Sequence, residues 1–428
     1  MRRRSALMLG LTGGAAGLAA LLAATTSGCR GSLASGAAAA APPPCGPAST
    51  WPAWTDFKRA LLTAEGRIAD PRDGRFHTVS EAQAYALFFA LVANDRPAFD
   101  AVLAWTVREL ADGDLGARLP AWLWGRDDAG HWRVLDRNAA SDADLWLVYT
   151  LAQAGRLWHA PALRQLADRL GLLLLQRETV QLADLGRQLL PGPVGFVDPH
   201  GHTRLNPSYL PLPVLRWLAT AEQAQLPGTG AARPWAELLG GAVLLLRRAA
   251  PHGLSPDWWL HAPADSPAPQ QPLAASEALG GYNAIRVYLW LGLASPQDPD
   301  RTALLAHHAS VCDVVEQLGD APLSLDPARP AASQPAPLQA GPRGFAAALL
   351  PLARALGRER CAGLLAARLQ REAADPQAYY DSALALFAQG HLGGQYRFDA
   401  DGSLHTPWAA TCAATAAAGA LNHHGALA

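Results

Sequence analysis

Apolar residues recur at the i, i+3, i+4 spacing of a helix with one buried face in about a dozen stretches: 56–65, 81–93, 97–111, 142–156, 161–175, 208–222, 234–248, 283–293, 300–318, 344–356, 358–371 and 376–389. Gly, Pro and Asp clusters separate them. The period-two alternation of a half-buried strand is confined to Trp132–Leu135 and Tyr396–Phe398. Helices in hairpin order, without the fixed repeat period of a solenoid, predict an all-α closed toroid of inner and outer helices. In such a ring the inner helix ends converge on one face, and residues at those ends are natural site builders.

Three helix starts carry chemistry. Ser80-Glu81-Ala82-Gln83 reads as a capping box, with Ser80 as N-cap and Gln83 reaching back. Ser141-Asp142-Ala143-Asp144 repeats the arrangement with an acidic third position. Asn283 follows Gly280-Gly281 and opens the apolar helix that ends near Leu293. Acids in a first helical turn complement the helix dipole wherever they occur, so position alone gives Glu81 and Asp142 no role beyond that. The dipole also favours the ionised carboxyl. Glu81 can act as a proton donor only where desolvation or a neighbouring carboxylate outweighs it.

Composition narrows the classes. A net charge of -1 over 428 residues makes no electrostatic claim on nucleic acid or an anionic membrane surface. With half the residues hydrophobic and 17% charged, the chain sustains a large core, and no internal linker divides it. Trp (14) outnumbers Phe (9) and Tyr (8), a surplus that fills cores and also suits the C–H faces of sugars. Arg2-Arg3-Arg4, the apolar stretch from Ala6 to Ala24 and the small residues after it read as an export signal over residues 1–29. Gly10, Gly13, Gly14 and Gly17 interrupt that stretch, which argues against a retained membrane span. Thr26-Ser27-Gly28-Cys29 resembles a bacterial lipobox with Thr at its first position. It leaves open a lipid anchor at Cys29 or simple cleavage nearby; the Arg cluster also fits a twin-arginine signal. Residues 30–49 form a flexible Ala/Pro/Gly-rich tether, and 50–422 the folded domain. An oxidising compartment permits a disulfide between Cys45 and Cys412, one of three pairings open to the four cysteines beyond Cys29. Cys312 and Cys361 lie in apolar helical segments and read as buried thiols. With no metal cluster, phosphate loop or nucleotide signature, no cofactor is expected.

Several motifs follow one another in a familiar order: Thr50-Trp51-Pro52-Ala53-Trp54, Ser80 to Tyr85, Ala93-Asn94-Asp95-Arg96, Arg118 to Gly125, and Ala140 to Trp146. They continue with Asn206 to Pro211, Leu254-Ser255-Pro256-Asp257-Trp258 and Tyr282 to Trp290. Over about residues 45 to 412 the chain resembles glycoside hydrolase family 8. The resemblance implies an (α/α)6 barrel whose open groove holds a β-1,4-glucan and cuts it internally with inversion. The implied protein is an endo-β-1,4-glucanase (cellulase), periplasmic or secreted in a Gram-negative bacterium and linked to the cellulose synthesis and secretion complex. On this likeness Glu81 is the general acid. Asp142 binds and distorts the sugar at the cleavage point, since inversion has no covalent nucleophile. Tyr85, Trp122, Trp124, Asp144, Tyr209 and Tyr282 are implied to line the substrate, and Arg286 to orient the carboxylates or residue 283. Aromatic residues and a single Arg also pack well in a core, which is the competing reading of each.

The departure is Asn283. In the family's cellulase branch this Tyr-x-Ala-Ile-Arg position carries the aspartate that activates water. Inversion places base and acid about 6.5–9.5 Å apart, with the water between. An amide can hold that water but cannot take its proton, and losing general base catalysis costs about 10²–10⁴ in rate. A chitosan- or mixed-linkage-active branch also has Asn here and takes its base from an inserted loop. Glu277, Asp265 and Asp257 are the nearby acids. Glu277 leads because a short loop can bring it to the groove, whereas Asp257 has a structural reading beside Pro256. Three readings stand: an endoglucanase, active or impaired; a glucan-binding pseudoenzyme; or a family 8 enzyme with altered specificity.

Overall fold

The segment Ser80–Val92 has no polar face: every residue in it is buried, so other helices must surround it. The protein is described here by a computed structural model covering residues 50–264 and 266–411. Thirteen α-helices run through them: α1 (Pro52–Leu61), α2 (Ser80–Val92), α3 (Arg96–Trp105), α4 (Ser141–Leu157), α5 (Pro161–Arg177), α6 (Leu212–Gln225), α7 (Pro234–Arg248), α8 (Ile285–Leu293), α9 (Arg301–His307), α10 (Ser310–Leu318), α11 (Arg343–Ala355), α12 (Glu359–Arg371) and α13 (Tyr379–Leu392). Helices α2, α4, α6, α8, α11 and α13 touch in that order, and α13 returns to α2, closing a ring. Outside it, α3, α5, α7, α9 and α12 back the inner helix that precedes each, and α1 lies against α13. This is the (α/α)6 barrel. The outer helices keep a single apolar stripe, as in α1, where Trp54, Phe57 and Leu61 are buried.

Aromatic side chains from the inner ring fill the barrel axis. Phe88 and Trp146 lie 4.9 Å apart, Trp290 and Phe387 5.0 Å, and Tyr85 and Phe387 4.9 Å, mostly edge to face. At the crossing of α8 and α11, a Cβ on Gly292 would come within 2.4 Å of the Leu352 backbone nitrogen, so only glycine permits that approach.

Short strands trim the loops. β1 (Thr78–Val79), β2 (Leu123–Arg126) and β3 (Trp132–Asp136) form one antiparallel sheet. β4 (Thr179–Leu182) pairs with β5 (Gly186–Leu189), β6 (Thr203–Leu205) with β7 (Trp259–His261), and β8 (Arg397–Phe398) with β9 (Leu404–His405). The alternation at 132–135 and 396–398 falls on strands. The others have two to four residues, too few for a period-two signal to show.

Three expectations are corrected. The stretch 300–318 is two helices, broken at His308–Ala309. The segment expected to be helical from 208 begins at Leu212, because Pro207 and Pro211 hold a separate 3₁₀ turn, Pro207–Tyr209. Neither capping box forms. Ser80 and Ser141 are the first helical residues and cap nothing. Gln83 instead accepts the Ile68 N–H at 2.7 Å and donates to Thr106 Oγ1 at 3.1 Å, while Ser141 Oγ donates to the Leu190 carbonyl. Both polar side chains tie loops to the ring. Cys312 and Cys361 are buried and free. The export signal, Cys29, the tether, the Cys45–Cys412 pair and Asp265 lie outside the described residues.

Candidate active site

The inner helices begin on one face, and their first turns bring the site together. Glu81 comes from α2, Asp142 from α4, Arg286 from α8 and Tyr379 from α13, with Ser208 on the 3₁₀ turn before α6. Arg286 is fully buried and organises the rest. Its Nη1 donates to Glu81 Oε2, to Asp142 Oδ2 at 2.7 Å and to the Tyr85 hydroxyl at 3.2 Å. Its Nη2 donates to Ser208 Oγ at 3.1 Å and to Asn283 Oδ1 at 3.0 Å. The Tyr209 ring lies 5.5 Å from the guanidinium carbon. Burial opposes the charge on Arg286, but Tyr85, Glu81, Tyr380 and Asp142 together raise its pKa well above the ordinary value. Tyr379 completes the shell by donating to Glu81 Oε1 at 3.1 Å.

One guanidinium therefore spans Glu81, Asp142 and Asn283. Glu81 and Asn283 are bonded to its two different terminal nitrogens. A guanidinium only donates, so Asn283 must turn its carbonyl oxygen to Arg286. Its amide NH₂ is the part left for a ligand.

Beneath residue 283, Asp257 Oδ1 accepts three backbone N–H groups, from Gly281 at 2.7 Å, Asn283 at 3.0 Å and Ala284 at 2.8 Å. It thereby holds the turn that feeds α8. Burial pushes its carboxyl pKa up, against the lowering effect of those N–H groups and of Arg286. Glu277 is engaged elsewhere: Oε1 is paired with Arg204 at 2.6 Å, and Oε2 accepts the Ala274 N–H at 2.9 Å.

The expected substrate-lining residues divide. Tyr282 is 51% exposed, with its ring 5.0 Å from Phe345 and its carbonyl accepting from the Tyr380 hydroxyl. Trp122 and Tyr209 are half-buried. The other three differ from expectation. Tyr85 is buried in the axial aromatic cluster and reaches the site only as a bond partner of Arg286. Trp124 is 9% exposed, wedged between Trp105 at 5.2 Å and Trp132 at 5.1 Å, and Trp132 presents the open indole at 46% exposure. Asp144 is fully buried against Glu178 and is no wall of the groove.

The Asp144–Glu178 pair is a second acidic centre, behind the first. Apart from each other, the two carboxyls meet no hydrogen-bond donor among the described residues. Burial raises both pKa values, Asp144 well above the ordinary range and Glu178 to about 8. Two buried carboxylates cannot both ionise side by side, so the pair shares a proton at neutral pH. The consequence for stability has a definite sign. Above the ordinary carboxyl pKa of about 4, the unfolded chain has lost a proton that the folded chain keeps. Stability should therefore fall as pH rises from about 4 towards about 8. Urea midpoints across that range test this, and Asp144→Asn, which cannot ionise, should flatten the slope.

Tyr379, Tyr380, Ser208 and Glu178 were not singled out from sequence. The aromatic pair opening the last inner helix was the available signal for the first two.

Acid residues gathered at the inner helix starts of such a barrel suit the class of carbohydrate hydrolases that work with a pair of carboxyl groups. Residues 39–394 match the profile of Glycosyl hydrolases family 8. An endoglucanase of Xanthomonas axonopodis pv. citri (strain 306) is 41% identical over 378 residues, covering 87% of this chain and 92% of that protein. An endoglucanase of Escherichia coli (strain K12) is 38% identical, covering 86% and 94%. The crystal structure of endo-1,4-D-glucanase from Vibrio fischeri ES114 matches with a TM-score of 0.72 at 37% identity, over 84% of this chain and 99% of that one. The chain belongs to glycoside hydrolase family 8.

Proposed function

We propose that this protein is an endo-1,4-β-glucanase that hydrolyses internal bonds of a β-1,4-glucan chain with inversion. The observation that carries it is the Arg286 hub, which fixes Glu81, Asp142 and the residue at position 283 in one polar cluster at the mouth of the ring. Glu81 protonates the departing glycosidic oxygen. Asp142 accepts from the sugar at the cleavage point and helps distort it, and a water attacks from the face opposite Glu81. Exposed Tyr282 and Trp132 offer rings on which pyranose faces stack. Several relatives and a solved neighbour named for endoglucanase activity support this substrate class.

A second reading, a glucan-binding protein with little turnover, is favoured by the amide at 283. Carboxymethylcellulose separates the two. An endoglucanase lowers its viscosity early, while few new reducing ends have appeared. A glucan shift in affinity electrophoresis with no fall in viscosity would support the binding protein instead. We also propose export to the periplasm or cell exterior, supported by the Arg2–Arg4 and Ala6–Ala24 pattern, with either a lipid anchor at Cys29 or simple cleavage nearby, and with the cellulose secretion complex as the setting.

A further inference from the structure

We propose that Asp257 is the general base of this enzyme, accepting the proton of an attacking water that Asn283 holds in place. The inference rests on the glucanase reading above. Arg286 takes the oxygen of Asn283, which leaves its NH₂ as the group free to meet a water. That group donates to a water and cannot receive the water's proton.

Three other acids of this region have both oxygens engaged. Glu81 is bonded by Arg286 and Tyr379, Asp142 by Arg286 and the Ala143 N–H, and Glu277 by Arg204 and the Ala274 N–H. Asp144 is sealed against Glu178. Asp257 differs. Its Oδ1 is fixed by three N–H groups, one of them from Asn283 itself, while Oδ2 accepts no hydrogen bond from the described residues. Residue 281 is glycine, and a Cβ there would sit 3.6 Å from Oδ2, so the missing side chain leaves that oxygen uncovered on the half-exposed side of the turn. Burial also makes this carboxylate a stronger base than a solvated one.

The step balances. The water oxygen bonds to the anomeric carbon as its proton passes to Asp257 Oδ2. The bond from that carbon to the glycosidic oxygen breaks, and the oxygen takes the proton of Glu81. Exchange with solvent then returns one proton to Glu81 and removes one from Asp257.

Asp257 also caps α8, so a loss on substitution must be told apart from damage to the fold. Reducing-end release from carboxymethylcellulose should be measured for the native chain, Asp257→Asn, Asn283→Asp and the double variant, with Glu81→Gln as baseline. Asparagine keeps an acceptor for the three N–H groups but cannot take a proton. Asp257→Asn should slow the native chain by about 10²–10⁴-fold. In the Asn283→Asp background, where a carboxylate stands at 283, the same change should cost less than about 10-fold. Equal losses in both backgrounds, or no loss in the native chain, would overturn the proposal and leave Asp257 a cap. A native chain at baseline beside an active Asn283→Asp variant would overturn it too, while sparing the glucanase reading. All proteins at baseline would remove that reading itself.

Discussion

Arg286→Met should destabilise the folded protein by about 3–5 kcal/mol and abolish glucan cleavage. The methionine fills much the same volume, so packing is largely kept. What is lost is the cation that pairs with both Glu81 and Asp142, each nearly buried, and the donor that orients Asn283. Breaking one side of a buried ion pair leaves charge uncompensated, which costs far more than the pair contributed. Urea unfolding measures the first part. Adding Glu81→Gln and Asp142→Asn to Arg286→Met should recover much of the stability and none of the activity. If the triple variant were no more stable than Arg286→Met alone, the loss would lie in packing and not in stranded charge.

The second large effect is on chemistry alone. Glu81→Gln keeps the length of the side chain and an acceptor for Tyr379, yet has no proton to give. Cleavage of cello-oligosaccharides should fall by about 10²–10⁴-fold. An aryl β-cellobioside with a 2,4-dinitrophenyl leaving group needs no protonation, and its hydrolysis should fall far less. A loss of equal size on both substrates would assign Glu81 to binding or to structure.

The ring was legible because its inner helices are apolar on every side while the outer ones keep a stripe, a contrast visible in α2 against α1. Glu81, Asp142 and Arg286 were legible as motif residues, and they do meet. What could not be read is which way a side chain at a helix start turns. Asp142 and Asp144 stand two residues apart on α4, a rotation of about 200°. One therefore reaches Arg286 while the other is driven back against Glu178, a residue 34 positions later on a different element. Tyr379 reaches Glu81 across nearly 300 residues of chain, a closure of the ring that no local pattern records. Loop length favours Glu277 and the neighbouring Pro256 gives Asp257 a structural reading, whereas the hydrogen bonds differ from both: Arg204 takes Glu277, and one oxygen of Asp257 accepts nothing from the described residues.

The account turns on a water delivered opposite Glu81, with no covalent intermediate. Proton NMR of cellohexaose digestion by the native chain, recorded before mutarotation equilibrates the ends, reads this directly. The newly released reducing ends should appear first as the α anomer. Fresh ends appearing first as the β anomer would contradict the inverting arrangement of Glu81, Asn283 and Asp257.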